Sequence, residues 1–131
     1  MYIHHIGVYV ANLDAARLFF EKYFGFRSSE LYRNPKKGFS SYLLSHERGG
    51  CRLELMHRDD TQAEKLDNRF LTPGIHHFNI VVGTQDDVDR IANILAFDGY
   101  EVIDGPRLTG DGYYEACIKA VDGLLVEISA E

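Results

Sequence analysis

Ile3-His4-His5-Ile6-Gly7-Val8-Tyr9-Val10, near the start of the chain, is echoed by Ile75-His76-His77-Phe78-Asn79-Ile80-Val81-Val82. Aligning His5 with His77 sets an offset of 72 residues. The same offset lays Asn12-Leu13-Asp14 on Thr84-Gln85-Asp86, and each triplet opens with a residue that caps a helix N-terminus. Helically spaced apolar residues follow both: Ala15, Leu18, Phe19 and Tyr23 in the first copy, Val88, Ile91, Leu95 and Ala96 in the second. Phe24-Gly25-Phe26 and Asp98-Gly99-Tyr100, offset by 74, put glycine where a helix C-terminus wants it. The copies close on Arg52-Leu53-Glu54-Leu55 and Val126-Glu127-Ile128, with Glu54 and Glu127 offset by 73. Landmarks recurring in one order at nearly constant spacing predict a duplicated unit.

That duplication predicts an α+β chain of two tandem β-α-β-β-β modules within a single domain over residues 1–131. Module 1 covers about 1–56 and module 2 about 74–131. A polar connector over 57–73 carries Arg58, Asp59, Asp60, Glu64, Lys65, Asp67 and Arg69. Residues 33–38 and 104–112 read as turn-rich loops inside the modules, while 39–45 and 113–121 read as strands.

The composition of the 131-residue chain, 45% hydrophobic and 26% charged, is that of an ordinary globular protein with enough length to bury a core. Its net charge of −6, from 20 acids against 14 bases, argues against nucleic acid as a partner. No apolar run approaches the roughly 18 residues that span a membrane. The first residues lack a secretion signal's basic-then-apolar order. Cys51 and Cys117 are too few for a disulfide framework and show no CxxC spacing. A reduced, cytoplasmic protein is the expectation.

Strand alternation shows which side chains share a face. In the first strand Ile6, Val8 and Val10 oppose His5, Gly7 and Tyr9; in its repeat Phe78, Ile80 and Val82 oppose His77, Asn79 and Val81. Leu53 and Leu55 oppose Arg52, Glu54 and Met56, and Val126 and Ile128 oppose Leu125, Glu127 and Ser129. Each strand thus has one face for packing and another presenting a His or a Glu. Curled sheets would turn those second faces into a cavity. Two imidazoles and two carboxylates converging there form an N2O2 set for a divalent ion: nickel, cobalt, manganese, iron or zinc. A lone strand His or Glu is ordinarily a packed or solvated residue, and it is the matched recurrence that favours ligation. His4 and His76 have the other parity and read as packed or surface residues. His46 and His57 fall at strand ends or loops.

The segments His5-Ile6-Gly7-Val8, Phe20 to Phe26, Leu53-Glu54-Leu55, Gly74-Ile75-His76-His77-Phe78-Asn79-Ile80 and Asp122-Gly123-Leu124-Leu125-Val126-Glu127-Ile128 together resemble the vicinal oxygen chelate superfamily. That group includes glyoxalase I, bleomycin-resistance proteins, fosfomycin-resistance enzymes, methylmalonyl-CoA epimerase and extradiol dioxygenases. The resemblance spans essentially the whole chain and is nearest to the small bacterial glyoxalase I type. It implies paired βαβββ modules, metal ligands His5, Glu54, His77 and Glu127, and a homodimer with metal sites shared between chains. It further implies conversion of a methylglyoxal–glutathione hemithioacetal into an S-2-hydroxyacyl thiol through a metal-bound enediolate, with Glu127 as base and Glu54 as its opposing partner. The implied cofactor is a divalent metal, with nickel, zinc or cobalt ahead of manganese or iron.

A substrate clamp is harder to find. Arg17, Lys36, Lys37 and Arg107 are candidates by charge, and Arg52 shares the face of Glu54. Tyr9, Tyr42, Tyr113 and Tyr114 are candidate cavity aromatics, with Arg52, Arg107 and Tyr113 the substrate-binding candidates retained. The Thr109-Gly110-Asp111-Gly112 stretch reads equally as a lid or a hairpin turn. Four other functions compete. A drug-sequestering module of the bleomycin-resistance type needs no metal. A thiol transferase or an extradiol dioxygenase leaves Glu54 surplus. An epimerase fits the metal chemistry but often carries Gln where Glu54 stands.

Overall fold

The computed structural model describes residues 2–60 and 74–131. The described residues fall into two compact units, 2–60 and 74–131, each with one mixed sheet and one long helix. The first contains β1 (His5–Tyr9), α1 (Leu13–Phe24), β2 (Arg27–Ser28), β3 (Tyr32–Asn34), β4 (Phe39–Ser45) and β5 (Arg52–Arg58). Its sheet runs β1-β5-β4-β2, with β3 also paired to β4, so the module's second strand, the first after the helix, is split in two. The second contains β6 (Phe78–Gly83), α2 (Gln85–Phe97), β7 (Glu101–Leu108), β8 (Tyr114–Lys119) and β9 (Leu125–Ala130), in the order β6-β9-β8-β7. In both sheets the strand before the helix lies parallel to the last strand of the module, and the other neighbours are antiparallel. This is the expected α+β architecture of two curled βαβββ modules.

The helix ends follow from local chemistry. Asn12 Oδ1 accepts the Ala15 N–H at 2.9 Å. Thr84 and Asp87 form a reciprocal capping box at the start of α2. Gly25 closes α1 in the left-handed region at φ 66°, and its N–H reaches the Glu21 carbonyl.

Each helix buries one stripe against its own sheet. Ala16, Phe19, Phe20 and Phe24 meet a surface built from Leu44, Leu53 and Leu55. Val88, Ile91, Ala92 and Leu95 cover Ala116, Ile118, Val126 and Ile128. The buried stripe of α1 is rotated from the expected one: Leu18 is 54% exposed and Phe20 is fully buried. Four aromatic residues crowd α1, so apolar periodicity alone leaves the face ambiguous and the bulk of Phe20 decides it.

Three boundaries also differ. β5 continues through His57 and Arg58, which the sequence places in the connector, and residues 33–34 belong to β3 rather than a loop. Residues 104–108 extend β7 despite Pro106. Proline is tolerated because β7 is an edge strand whose ladder shifts register on either side of Asp104. Gly105 lies against the Glu115 backbone with no room for a side chain. Asp59 and Asp60 follow in a turn, and residues 61–73 of the connector lie outside the described residues. No helix among the described residues is long and apolar enough to cross a membrane.

The two faces of α1 give opposite expectations. Phe20→Ala should cost about 3–5 kcal/mol of unfolding free energy, whereas Leu18→Ala should stay within roughly 0.5 kcal/mol. Urea unfolding measures both, and equal losses would contradict the assigned face.

Candidate metal centre

In the first sheet His5 pairs with Arg52 and Gly7 with Glu54 along the parallel ladder. His5 and Gly7 are two residues apart and share a side, so the imidazole and the Glu54 carboxylate leave the sheet on the same face. His5 Nε2 lies 3.5 Å from Glu54 Oε2. The second sheet repeats the arrangement, with Asn79 paired to Glu127 and His77 two residues before Asn79. His77 Nε2 lies 3.5 Å from Glu127 Oε2. The opposite faces of these strands bury Leu53, Leu55, Val126 and Ile128 under the helices. The four polar side chains keep between 18% and 43% of their surface exposed, enough for an ion to reach them.

His4 is exposed and His76 half-buried, in keeping with packed or surface residues, and both touch the candidate quartet. The Nδ1 of His4 lies 2.8 Å from that of His5, and the Nδ1 of His76 lies 2.8 Å from that of His77. His4 stands just before β1, and His76 and His77 both stand just before β6, where alternation does not describe how adjacent side chains turn toward each other. The repeated His-His doublet was the available signal.

Glu127 has further support. Asn79 Nδ2 donates to Glu127 Oε1 at 2.8 Å, and Ser129 Oγ donates to Asn79 Oδ1 at 2.9 Å. The relay leaves Glu127 Oε2 on the His77 side. Module 1 has Gly7 and Met56 at the corresponding positions, and a Cβ on Gly7 would meet Met56 Cε at 2.8 Å. The two carboxylates therefore sit in unlike surroundings, one held by an amide and the other beside a thioether.

Rows across the second sheet place Asp104, Cys117, Glu127 and Asn79 side by side, and Arg107, Glu115 and Ser129 in the next row. Burial, then the charge of Glu127, raises the Glu115 carboxyl above its ordinary range. The same two causes raise the Cys117 thiol. Arg107 forks onto Asp104 through Nε and a terminal nitrogen, which raises its pKa further and neutralises the charge it could offer an anionic substrate.

The other candidates are distributed less favourably. Arg52 and Tyr9 emerge on the face of Glu54 and are exposed. Tyr42 is paired with buried Leu55, donates to Asp14 at 3.0 Å and lies beneath the Arg17 guanidinium, so this group is on the helix side. Arg17 in turn pairs with Glu21 at 2.8 Å. Tyr114 donates to Asp89 of α2 at 2.7 Å and is likewise on the helix side. Lys36 and Lys37 are exposed on a single 3-10 turn. Tyr113 is exposed beside a turn in which Thr109 bonds Asp111 and the Tyr113 backbone; the 109–112 stretch is thus a self-closed hairpin turn. A cavity of about 260 Å³ in module 1 is lined by Asn12, Asp14, Arg33, Ser40, Tyr42 and His57, on the sheet face opposite Glu54.

Each His–Glu pair fits a divalent ion: a 3.5 Å separation can be bridged by one centre bonding both atoms at about 2.0–2.2 Å. Among the described residues no group of three or more His, Cys, Asp or Glu side chains forms a metal-binding cluster; the pairs occur one to a module.

The model of the glyoxalase/bleomycin resistance protein/dioxygenase superfamily matches residues 2–128. The chain belongs to that superfamily. A comparison with curated proteins finds no match. Among solved structures, a glyoxylase/bleomycin resistance protein/dioxygenase domain from Frankia superposes with TM-score 0.82 at 16% identity, covering 99% of this chain and 97% of that one. A possible glyoxalase from Bacillus cereus gives 0.70 at 27% identity, covering 99% of both chains. A glyoxalase I mutant from Zea mays gives 0.80 at 20% identity, where 99% of this chain covers 44% of that one. At these identities the superpositions on the Frankia and Zea mays proteins show a shared fold alone.

The raised pKa of Glu115 carries a pH prediction. The folded protein keeps this proton to higher pH than the unfolded chain, so the linked stability is present below the ordinary carboxylate value and falls as pH rises through the raised one. Glu115→Gln removes that loss. Its urea midpoint should match wild type near the ordinary carboxylate value of about 4.3 and exceed it at neutral pH. Parallel pH curves for the two proteins would contradict the shift.

Proposed function

We propose that this chain is a metal-dependent glyoxalase I-like lyase. It would isomerise a 2-oxoaldehyde–thiol hemithioacetal, of the methylglyoxal–glutathione type, to an S-2-hydroxyacyl thiol. The observation carrying this reading is the His–Glu pair repeated at one register and one separation in both modules. His5, Glu54, His77 and Glu127 would together hold one divalent ion, with nickel, zinc or cobalt the favoured choices. The ion supplies Lewis acidity toward adjacent substrate oxygens.

The remaining chemistry belongs to the protein. Glu127 takes the carbon-bound proton of the hemithioacetal and returns it to the neighbouring carbon, so the reaction consumes no net proton. Asn79 and Ser129 fix its carboxylate, which keeps the base aimed while the proton moves. Glu54 acts across from it as the opposing partner. Arg52, which shares the face of Glu54, is the better-placed contact for an anionic thiol, because Arg107 is already engaged by Asp104. In the proposed assembly two chains form a homodimer and His5–Glu54 of one meets the His77–Glu127 pair of the other.

The test is turnover of the methylglyoxal–glutathione hemithioacetal by protein loaded with nickel, cobalt, zinc or manganese. Wild type should be active and chelator-sensitive, and Glu127→Gln should keep the fold and lose about 10²–10⁴-fold in kcat. Metal uptake without turnover would reject this substrate, and an unimpaired Glu127→Gln would move the base elsewhere. In the same assay, co-expressed His5→Ala and His77→Ala chains should recover activity that neither has alone, since one shared site per dimer is then intact. No recovery would contradict sharing between chains.

A further inference from the structure

Neither His4 nor His76 has a role in the chemistry above, yet both meet the neighbouring imidazole in the same way. The Nδ1–Nδ1 separation is 2.8 Å in each module, and the rings stand nearly perpendicular, at 80° and 86°, with centroids 5.1 Å apart in both. Two sheets with different residues around their carboxylates, Asn79 and Ser129 in one and Gly7 and Met56 in the other, thus retain the same imidazole pair.

A hydrogen bond between two Nδ1 atoms needs a proton on one and a lone pair on the other. If His4 donates, neutral His5 carries its own proton at Nε2, and the nitrogen 3.5 Å from Glu54 has no lone pair to offer. If His5 donates, its Nε2 lone pair points toward the carboxylate side. The same alternatives hold for His76 and His77. We infer that His4 and His76 are positioning residues: each accepts the Nδ1–H of its neighbour, holding His5 and His77 in the tautomer and ring orientation that can bind a cation through Nε2. Outer hydrogen-bond partners of this kind are worth about 10–100-fold in metal affinity.

The inference rests on the metal reading, and the test separates the two. Zinc affinity is measured by competition with a chromophoric chelator for wild type, His4→Phe, His76→Phe, and the acceptor-restoring His4→Asn and His76→Asn. Imidazole ¹⁵N shifts are recorded on the zinc-loaded proteins. Wild type should bind zinc with His5 and His77 protonated at Nδ1, and the Phe variants should bind about 10–100-fold more weakly while unfolding at the wild-type urea midpoint. The Asn variants should recover part of the loss, because an amide oxygen also accepts an N–H. Failure of wild type to bind zinc would overturn the metal reading and this inference with it. Wild-type binding that the Phe variants match in affinity would leave the metal site standing and overturn the positioning role.

Discussion

The parallel pairing of the first and last strands of each module is the constraint on which the site depends. Register there fixes Gly7 against Glu54 and Asn79 against Glu127, and so brings each carboxylate beside the imidazole two residues up the neighbouring strand. A slip of one residue would send Glu54 and Glu127 under the helices and bring Leu53, Leu55, Val126 and Ile128 to the open face. The buried leucines, valine and isoleucine therefore do more than fill the core: their burial selects the register that makes the pairs. Helix caps at Asn12 and Thr84 and the break at Gly25 set where each helix starts and stops, and so which residues reach that core.

Within this shared frame the modules have diverged around their carboxylates. Glu127 is held by an amide that is itself held by a buried serine, on a face crowded with Asp104, Glu115 and Cys117. Glu54 has the thioether of Met56 packed over Gly7. A hydrogen-bonded carboxylate among charged neighbours and one beside a thioether suit different tasks. This difference in surroundings is the physical basis for giving Glu127 and Glu54 unequal roles.

The sequence shows the fold because duplication turns weak local signals into a pattern. His5, Glu54, His77 and Glu127 are legible for the same reason, since period-two alternation assigns their face without further information. Alternation is silent on two other matters. It places Asn79 and Ser129 on the right face but cannot reveal that Ser129 bonds Asn79 and Asn79 bonds Glu127, which depends on β6 and β9 being in register. It also says nothing of how adjacent side chains turn toward each other, so it does not show that His4 and His76 each touch a candidate ligand. On α1, adjacent bulky aromatics blur the helical stripe, and only packing distinguishes buried Phe20 from exposed Leu18. At 104–108 glycine and proline suggest a loop, while an edge position lets the strand continue through a shift in register.

The central claim is that the two His–Glu pairs are halves of one metal site. Equilibrium dialysis of cobalt against metal-free protein tests it most directly, with wild type, His5→Ala and His77→Ala compared. One joint site predicts about one ion per chain in wild type, and a loss of at least about tenfold in affinity for both variants, since each removes a ligand from the same ion. Two ions per wild-type chain, falling to one in either variant, would show that the pairs act separately and contradict the account, as would no saturable uptake.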